Sequence, residues 1–340
     1  MEEIKTVCIV GPGRMGIGIA TALLAGRPEL RVVLLDVKDR DPGRENEALE
    51  RARAEVERNL ILLKDLGELA GNPTERMEGL ALTRDANEHL KSCGVVFEAL
   101  PEQPDLKQAF LRNTEGAFER SAIIASSTST IHLSTFCEAA RHPERIVIAH
   151  WLNPAFIIPL VEVATGDATA PWASEGILRF LTEMGKIPVE LRDSAGFIVP
   201  RIQVAAMNEA VRIVEEGVAG PETVDTAIKA GFGFRLAVLG LVEFIDLGGL
   251  DILYNASRYL YGELGLEQYR PLPSVTEKME RGEVGPRSGK GYYDYTGVDT
   301  DAMFLDRYRG FVELLNLVRR SRHLDFRGGI RDRSAADPTR

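Results

Sequence analysis

His150 and Glu162 share one apolar stretch, AHWLNPAFIIPLVEV (residues 149–163), with Ile157, Ile158, Leu160, Val161 and Val163 around them. A carboxylate buried among such side chains without a partner costs several kcal/mol, and an imidazole twelve residues earlier can remove that cost. The same pairing fixes the imidazole tautomer and stabilises the imidazolium that forms when the ring takes a proton, the arrangement of a general base. RIVIAH places His150 at the carboxyl end of a strand, the edge of an open α/β sheet at which ligands bind. A satisfied structural histidine is the alternative at that position.

A second group of residues points to a cofactor. VGPGRMGIGIATALL carries Gly11, Gly13 and Gly16 in the spacing G-x-G-x-x-G, with Arg14 and Met15 inside the turn, after a strand and at the opening of an apolar helix. Glycines there let the backbone turn tightly and approach a pyrophosphate, which backbone N–H groups and the positive helix end then hold. RVVLLD ends in Asp36, twenty residues after Gly16, where a carboxylate accepts hydrogen bonds from an adenine ribose and repels a 2′-phosphate. NAD is the expected cofactor. Lys38 and Arg40 follow on a polar loop, either as solvated cations or as a counterweight to that preference.

The elements that must position these residues are visible in the pattern. TVCIVG, RVVLLD, GLALT, GVVFEAL, AIIASS and RIVIAHW read as strands alternating with helices, which indicates a parallel sheet with crossover helices. LVEVATG and IPVELR add two strands around a helix near 171–184. GRENEALERARAEVERNLILLKDLGELA predicts an unusually long helix, 44–69. After Asp193, GFIVPRIQVAAMNEAVRIVEEG has helical spacing and stops at Gly217, and the chain to about 318 reads as helices between Gly and Pro. The expected domains are therefore 1–192, an α/β cofactor domain, and 193–318, all-helical, with a basic tail, 319–340, expected to be disordered.

Composition narrows the function classes. A chain of 340 residues with 44% hydrophobic and 27% charged residues is that of a soluble two-domain protein with no expected membrane span. A net charge of −10 argues against nucleic-acid binding, which depends on Lys and Arg neutralising phosphates. Cys8, Cys93 and Cys137 are far apart and lack metal-ligand spacing, so no disulfide framework or metal site is expected and a reducing cytoplasm fits.

Taken in order, GPGRMG, FEALPEQPDLK, ASSTST, HWLNP, LVEV, GFIVPR, NEA with EEGVA, and SGKGYYDY resemble the 3-hydroxyacyl-CoA dehydrogenase family, over roughly residues 4 to 296. The resemblance implies a Rossmann-like NAD domain followed by an all-α domain used for substrate and for dimerisation. It also implies that His150 is the catalytic base and Glu162 its partner. Ser129 would position the reacting oxygen, and Glu102 and Lys107 would lie near the nicotinamide ribose. Asn153 matches the family's asparagine before proline, with a turn-forming role as the alternative.

One position departs from the family. GFIVPR carries Pro200 where members usually carry asparagine, so an amide at the substrate end is lost and substrate identity opens up. Relatives of this fold act on free hydroxy acids such as gulonate or carnitine. In acyl-CoA members the long helix helps hold CoA, and here Arg44, Arg51, Arg53, Arg58 and Lys64 are interleaved with Glu45, Glu47, Glu50, Glu55 and Glu57, which reads equally as a salt-laced solvated helix. A non-catalytic NAD-binding protein has no need of His150, Glu162 and Ser129 together, and the lysine pattern GxxGxGxxxK of another dehydrogenase class is absent.

Overall fold

The computed structural model describes residues 3–44, 46–85, 90–321 and 324, and the chain divides into two compact units after Ala206, a position inside one helix. The first unit is a single eight-stranded sheet in the order β3-β2-β1-β4-β5-β6-β7-β8. Its strands are β1 (Thr6–Val10), β2 (Arg31–Leu35), β3 (Leu80–Thr83), β4 (Val95–Glu98), β5 (Ile123–Ser126), β6 (Ile146–Trp151), β7 (Leu160–Thr165) and β8 (Ile187–Arg192).

Side chains alternate across each strand and sort into two cores, one on each face. Val7, Ile9, Val32, Leu34, Phe97, Val147, Ala149, Trp151, Val161 and Val163 join one cluster with α1 (Arg14–Gly26), α2 (Glu47–Asp65) and α4 (Pro171–Glu183). Cys8, Val10, Val96, Ile124, Ile146, Ile148 and Ala164 join the other, with Phe110 and Leu111 of α3 (Pro104–Thr114), Phe136 and Phe197. Burial on both faces is why the strands read as near-continuous apolar runs.

Six strands run parallel, as the alternation with helices predicts, but β7 runs antiparallel to β6. The physical reason is length. Only residues 152–159 join these two strands, too few for the crossover that parallel pairing requires. That short connection is tightly held: Lys186 Nζ donates to the carbonyls of Ala155 (2.7 Å) and Ile158 (2.9 Å), and Ala155 packs so closely on α1 that a Cβ at Gly18 would lie 3.2 Å from its methyl group. Burial holds the Lys186 ammonium below its ordinary pKa. Trp151, 1% exposed, meets Phe97 edge-on at 5.6 Å, lies 5.6 Å from the Lys186 ammonium, and has no hydrogen-bond partner on Nε1 among the described residues.

The long helix observed is α2, 47–65 within the expected 44–69; Glu45 lies outside the described residues. Arg44 pairs with Glu47 and Arg58 with Glu55, as a salt-laced helix does.

The chain enters the second unit through α5 (Val199–Glu215) and continues through α6 (Leu241–Gly248), α7 (Leu250–Leu264) and α8 (Thr300–Arg320) with shorter helices between. Asp246, 1% exposed, organises this unit: it accepts from the backbone N–H groups of Tyr292 (3.0 Å) and Tyr293 (2.9 Å) and from the Tyr295 hydroxyl (3.2 Å). Asp299 caps α8, whose Arg307 pairs with Glu243 at 2.8 Å and whose Phe311 stacks on Phe234 at 5.9 Å. The helix includes Arg319 and Arg320; residues 325–340 of the tail expected to be disordered lie outside the described residues. Among the described residues no helix is long and apolar enough to cross a membrane.

Candidate active site

The antiparallel register puts His150 directly opposite Glu162, and directly opposed residues share a face of the sheet. His150 Nδ1 lies 2.8 Å from Glu162 Oε2, with the two side chains 8% and 1% exposed. The other carboxylate oxygen, Oε1, accepts from the backbone N–H groups of Ile198 (2.9 Å) and Val199 (2.8 Å), where α5 begins. Burial alone would raise the Glu162 carboxyl, but the imidazole and the two N–H groups outweigh it and hold the pKa below the ordinary carboxylate value. With Nδ1 committed to Glu162, His150 has Nε2 left for chemistry.

Phe197 packs beside the imidazole, ring centroids 5.5 Å apart, and is the one described non-glycine residue with positive φ, at 46°. A left-handed backbone at a bulky residue costs about 1–3 kcal/mol and persists where surrounding bonds over-determine it. Here its flanks are fixed by Phe197 N–H to Ser194 O at 3.1 Å and by the Ile198 N–H on Glu162. Pro200 is the second residue of α5. A first-turn nitrogen has no acceptor within its helix, so proline costs nothing there, and its fixed φ suits the turn that presents Ile198 and Val199 to Glu162.

Ser129 follows β5, the parallel neighbour of β6, and its loop is tied down by Glu102. Glu102 Oε1 accepts from the Thr128 hydroxyl (2.5 Å), the Ser129 N–H (2.9 Å) and hydroxyl (3.3 Å), and the Thr130 N–H and hydroxyl (both 3.1 Å). Burial opposes ionisation of Glu102, but these donors and Lys107 keep its pKa below the ordinary value. Lys107 is 1% exposed, and its ammonium binds Glu98 (2.8 and 3.0 Å), the Leu100 carbonyl (3.1 Å) and Glu102 (3.5 Å). Lys107 is thus buried support beneath the Ser129 loop. Glu98 also accepts from Ser126 at 2.6 Å. Glu98, Ser126, Thr128 and Thr130 are not singled out by the sequence analysis; a lone carboxylate closing the strand VVFE is a signal that could have found the first. Asn153, in a cis bond to Pro154, is exposed and its side chain makes no hydrogen bond among the described residues.

At the other end the backbone fits a dinucleotide. Gly11 has φ 107° and sits so close to Ala99 that a Cβ would lie 2.7 Å from its carbonyl; a Cβ at Gly16 would lie 2.0 Å from the Gly11 carbonyl. Gly13 faces open space, with nothing within 4 Å of a Cβ position. The first turn of α1, Arg14, Met15 and Gly16, has no side-chain cap and no acidic residue, leaving its N–H groups and positive dipole end for an anion. Asp36, 2% exposed, closes β2 but is not bare: Arg40 binds its Oδ2 through Nε and Nη2, both at 2.9 Å. Of the two roles that the sequence allows Arg40, solvated cation or counterweight, the structure shows a counter-ion bound to Asp36.

Residues 6–194 match the family described as 3-hydroxyacyl-CoA dehydrogenase, NAD binding domain, and residues 196–295 its C-terminal domain. A 5-formyl-3-hydroxy-2-methylpyridine 4-carboxylate 5-dehydrogenase of Mesorhizobium japonicum is 33% identical, covering 93% of this chain and 98% of its own. A probable 3-hydroxybutyryl-CoA dehydrogenase of Bacillus subtilis is 31% identical, covering 86% of this chain and 98% of its own. The solved structure of a 3-hydroxyacyl-CoA dehydrogenase from Archaeoglobus fulgidus superposes with a TM-score of 0.73 at 31% identity, covering 93% of this chain and all of that one.

The lowered Glu162 pKa has a stability consequence of definite sign. A carboxyl held below its unfolded value stabilises the fold at neutral pH, and that contribution disappears as pH falls through the folded pKa. Glu162→Gln is expected to lower unfolding free energy near neutrality by about 1–3 kcal/mol. The difference from wild type should begin to narrow as pH falls past the unfolded carboxyl value of about 4.3 and close as pH falls through the lower folded pKa. Urea unfolding across pH measures this, and a gap independent of pH would contradict the assigned charge.

Proposed function

Because this chain belongs to the 3-hydroxyacyl-CoA dehydrogenase family, we propose that it oxidises the hydroxyl of a 3-hydroxyacyl-CoA with NAD, or runs the reverse reduction, with His150 as general base and Glu162 as its partner. The observation that carries this reading is the buried 2.8 Å contact between His150 Nδ1 and Glu162 Oε2. NAD, when bound, supplies the hydride acceptor. His150 Nε2 takes the proton of the secondary alcohol, and Glu162 stabilises the imidazolium that results. In the reductive direction the same nitrogen returns the proton to the nascent alkoxide. Ser129, held by Glu102 above the buried Lys107, positions the reacting oxygen, while Gly11, Gly13, Arg14, Met15 and Gly16 receive the pyrophosphate and Asp36 the adenine ribose. Asn153 borders the same strand end. The cytoplasm is the compartment we assign, on the odd number and wide separation of Cys8, Cys93 and Cys137 in the sequence.

His150→Gln is expected to lower kcat about 10²- to 10⁴-fold. NADH affinity, followed by nucleotide fluorescence, should stay within error of wild type, because the lost group acts on the alcohol. Near wild-type kcat would remove the base assignment. Steady-state NADH formation across 3-hydroxyacyl-CoA thioesters and free hydroxy acids tests the substrate class directly.

A second reading, a free hydroxy acid on the same machinery, is favoured by the wider match to the Mesorhizobium pyridine-carboxylate dehydrogenase, 316 residues against 294 for the Bacillus protein. Pro200 belongs to the same question. Where an amide can bind the reacting end, proline offers only a ring, which favours bulkier, branched or differently functionalised substrates over straight-chain ones. Pro200→Asn should shift the ratio of kcat/KM between acetoacetyl-CoA and a bulkier 3-oxo substrate by roughly tenfold toward the former, the worth of one hydrogen bond. An unchanged ratio would leave Pro200 as a helix-start residue only.

We also propose a homodimer through the helical unit. Met207 and Val211, at i and i+4 on α5, and Ile252 and Tyr259, at i and i+7 on α7, are exposed apolar side chains of this unit. Light scattering at micromolar concentration should give twice the chain mass, and a monomer would remove the proposal.

A further inference from the structure

Asp36 and Arg40 are usually read as alternatives. A carboxylate at the end of the second strand accepts from the ribose hydroxyls of NAD, whereas an arginine nearby accommodates the 2′-phosphate of NADP. This chain has both, and they are bound to one another: Oδ2 of Asp36 takes Nε and Nη2 of Arg40 at 2.9 Å each, while Oδ1 takes the Lys38 N–H at 3.2 Å. The guanidinium is therefore oriented by the same carboxylate that reads the ribose.

Behind Arg40 lies a cavity of about 240 Å³ lined by Arg40, Asp41, Arg44, Glu47, Ala48 and Arg51. Three guanidiniums converge there against two carboxylates, and Arg44 is preset by Glu47, which binds its Nε through both oxygens at 3.0 Å. Among the described residues the lining carries one net positive charge, and Asp36, outside the lining, is the counter-ion that Arg40 loses when residue 36 is neutralised. A phosphomonoester on a ribose is the ligand that three guanidiniums beside a ribose-reading position suit, because each offers forked N–H donors to phosphate oxygens.

We propose that Arg40, Arg44 and Arg51 form a subsite for the 2′-phosphate of NADP that Asp36 masks, so that Asp36 alone sets the cofactor preference of this chain. The wild type then prefers NAD, because a 2′-phosphate must approach Asp36 and also draw Arg40 away from it. Removing one negative charge at residue 36 exposes a phosphate site that is already built. The inference rests on the NAD assignment of the first unit.

The test reads nucleotide affinity by calorimetry on the full chain, using 5′-AMP, 2′,5′-ADP and 3′,5′-ADP, alongside kcat/KM for NAD and NADP. Wild type should bind 5′-AMP at least about tenfold more tightly than 2′,5′-ADP, and Asp36→Ser should reverse that order by about tenfold or more, the worth of a charged hydrogen bond. Asp36→Asn keeps the side-chain volume and gives the same reversal in smaller degree if Asp36→Ser fails to fold. Adding Arg40→Ala to either variant should abolish the gain for 2′,5′-ADP while leaving 5′-AMP affinity within twofold, about 0.4 kcal/mol. Loss of 5′-AMP binding in the Asp36 variants with no gain for 2′,5′-ADP overturns the subsite. An equal gain for 3′,5′-ADP overturns its assignment to NADP, since that nucleotide carries the phosphate pattern of CoA. Wild type that binds none of the three overturns the dinucleotide reading itself.

Discussion

The first unit turns on a single carboxylate with three donors. Glu162 is buried, and it remains ionised only because an imidazole approaches one oxygen and two backbone N–H groups the other. An ion taken out of water in this way is stable when its hydrogen-bonding capacity is filled, and removing one donor leaves the remaining charge exposed to the low dielectric around it. His150, the strained backbone at Phe197 and the first turn of α5 are therefore three answers to one demand. The demand in turn depends on register: a slip of one residue between β6 and β7 would send Glu162 to the opposite face of the sheet. Lys186, fastened to the carbonyls of Ala155 and Ile158, and Gly18, which admits Ala155 against α1, hold the connection that sets this register.

A second carboxylate follows the same logic at the neighbouring strand. Glu102 gathers donors from three consecutive residues, Thr128 to Thr130, onto one oxygen, and the buried Lys107–Glu98 pair stands behind it. The loop that carries Ser129 is thus ordered before any substrate arrives, which is how a site avoids the entropy of fixing a mobile hydroxyl at the moment of reaction. Glu162 sits within β7 and Glu102 in the loop after β4, and both convert a backbone feature into the position of a side chain.

Much of this was legible in the residues. β-Branched runs located all eight strands, and G-x-G-x-x-G followed by Asp36 located the cofactor end. His150 and Glu162 were legible as a pair because neither is tolerable alone in an apolar stretch. The antiparallel step at β7 was legible only as a distance, eight residues where a crossover needs more, and composition carries no sign of strand direction. The Glu98–Lys107 pair was hidden because Lys107 sits on a helix, where charged residues ordinarily face solvent, and nothing in its spacing shows the 1% exposure that burial beneath a loop produces. Arg40 was hidden for the opposite reason: a loop cation four residues after a carboxylate is common, and only geometry distinguishes a counter-ion from a bystander.

Trp151 has an optical consequence. The chain has two tryptophans, and they differ sharply in surroundings: Trp151 is 1% exposed with an indole N–H unpartnered among the described residues, while Trp172 at the start of α4 is 38% exposed. An indole shielded from water emits at shorter wavelength than one in contact with it, so the intrinsic fluorescence divides into a blue component from the strand of His150 and a red component from the surface. The blue emitter is one peptide bond from the proposed base, on the opposite face of the sheet and beneath the Lys186 ammonium. Light absorbed at that side chain reports the state of β6 without any label.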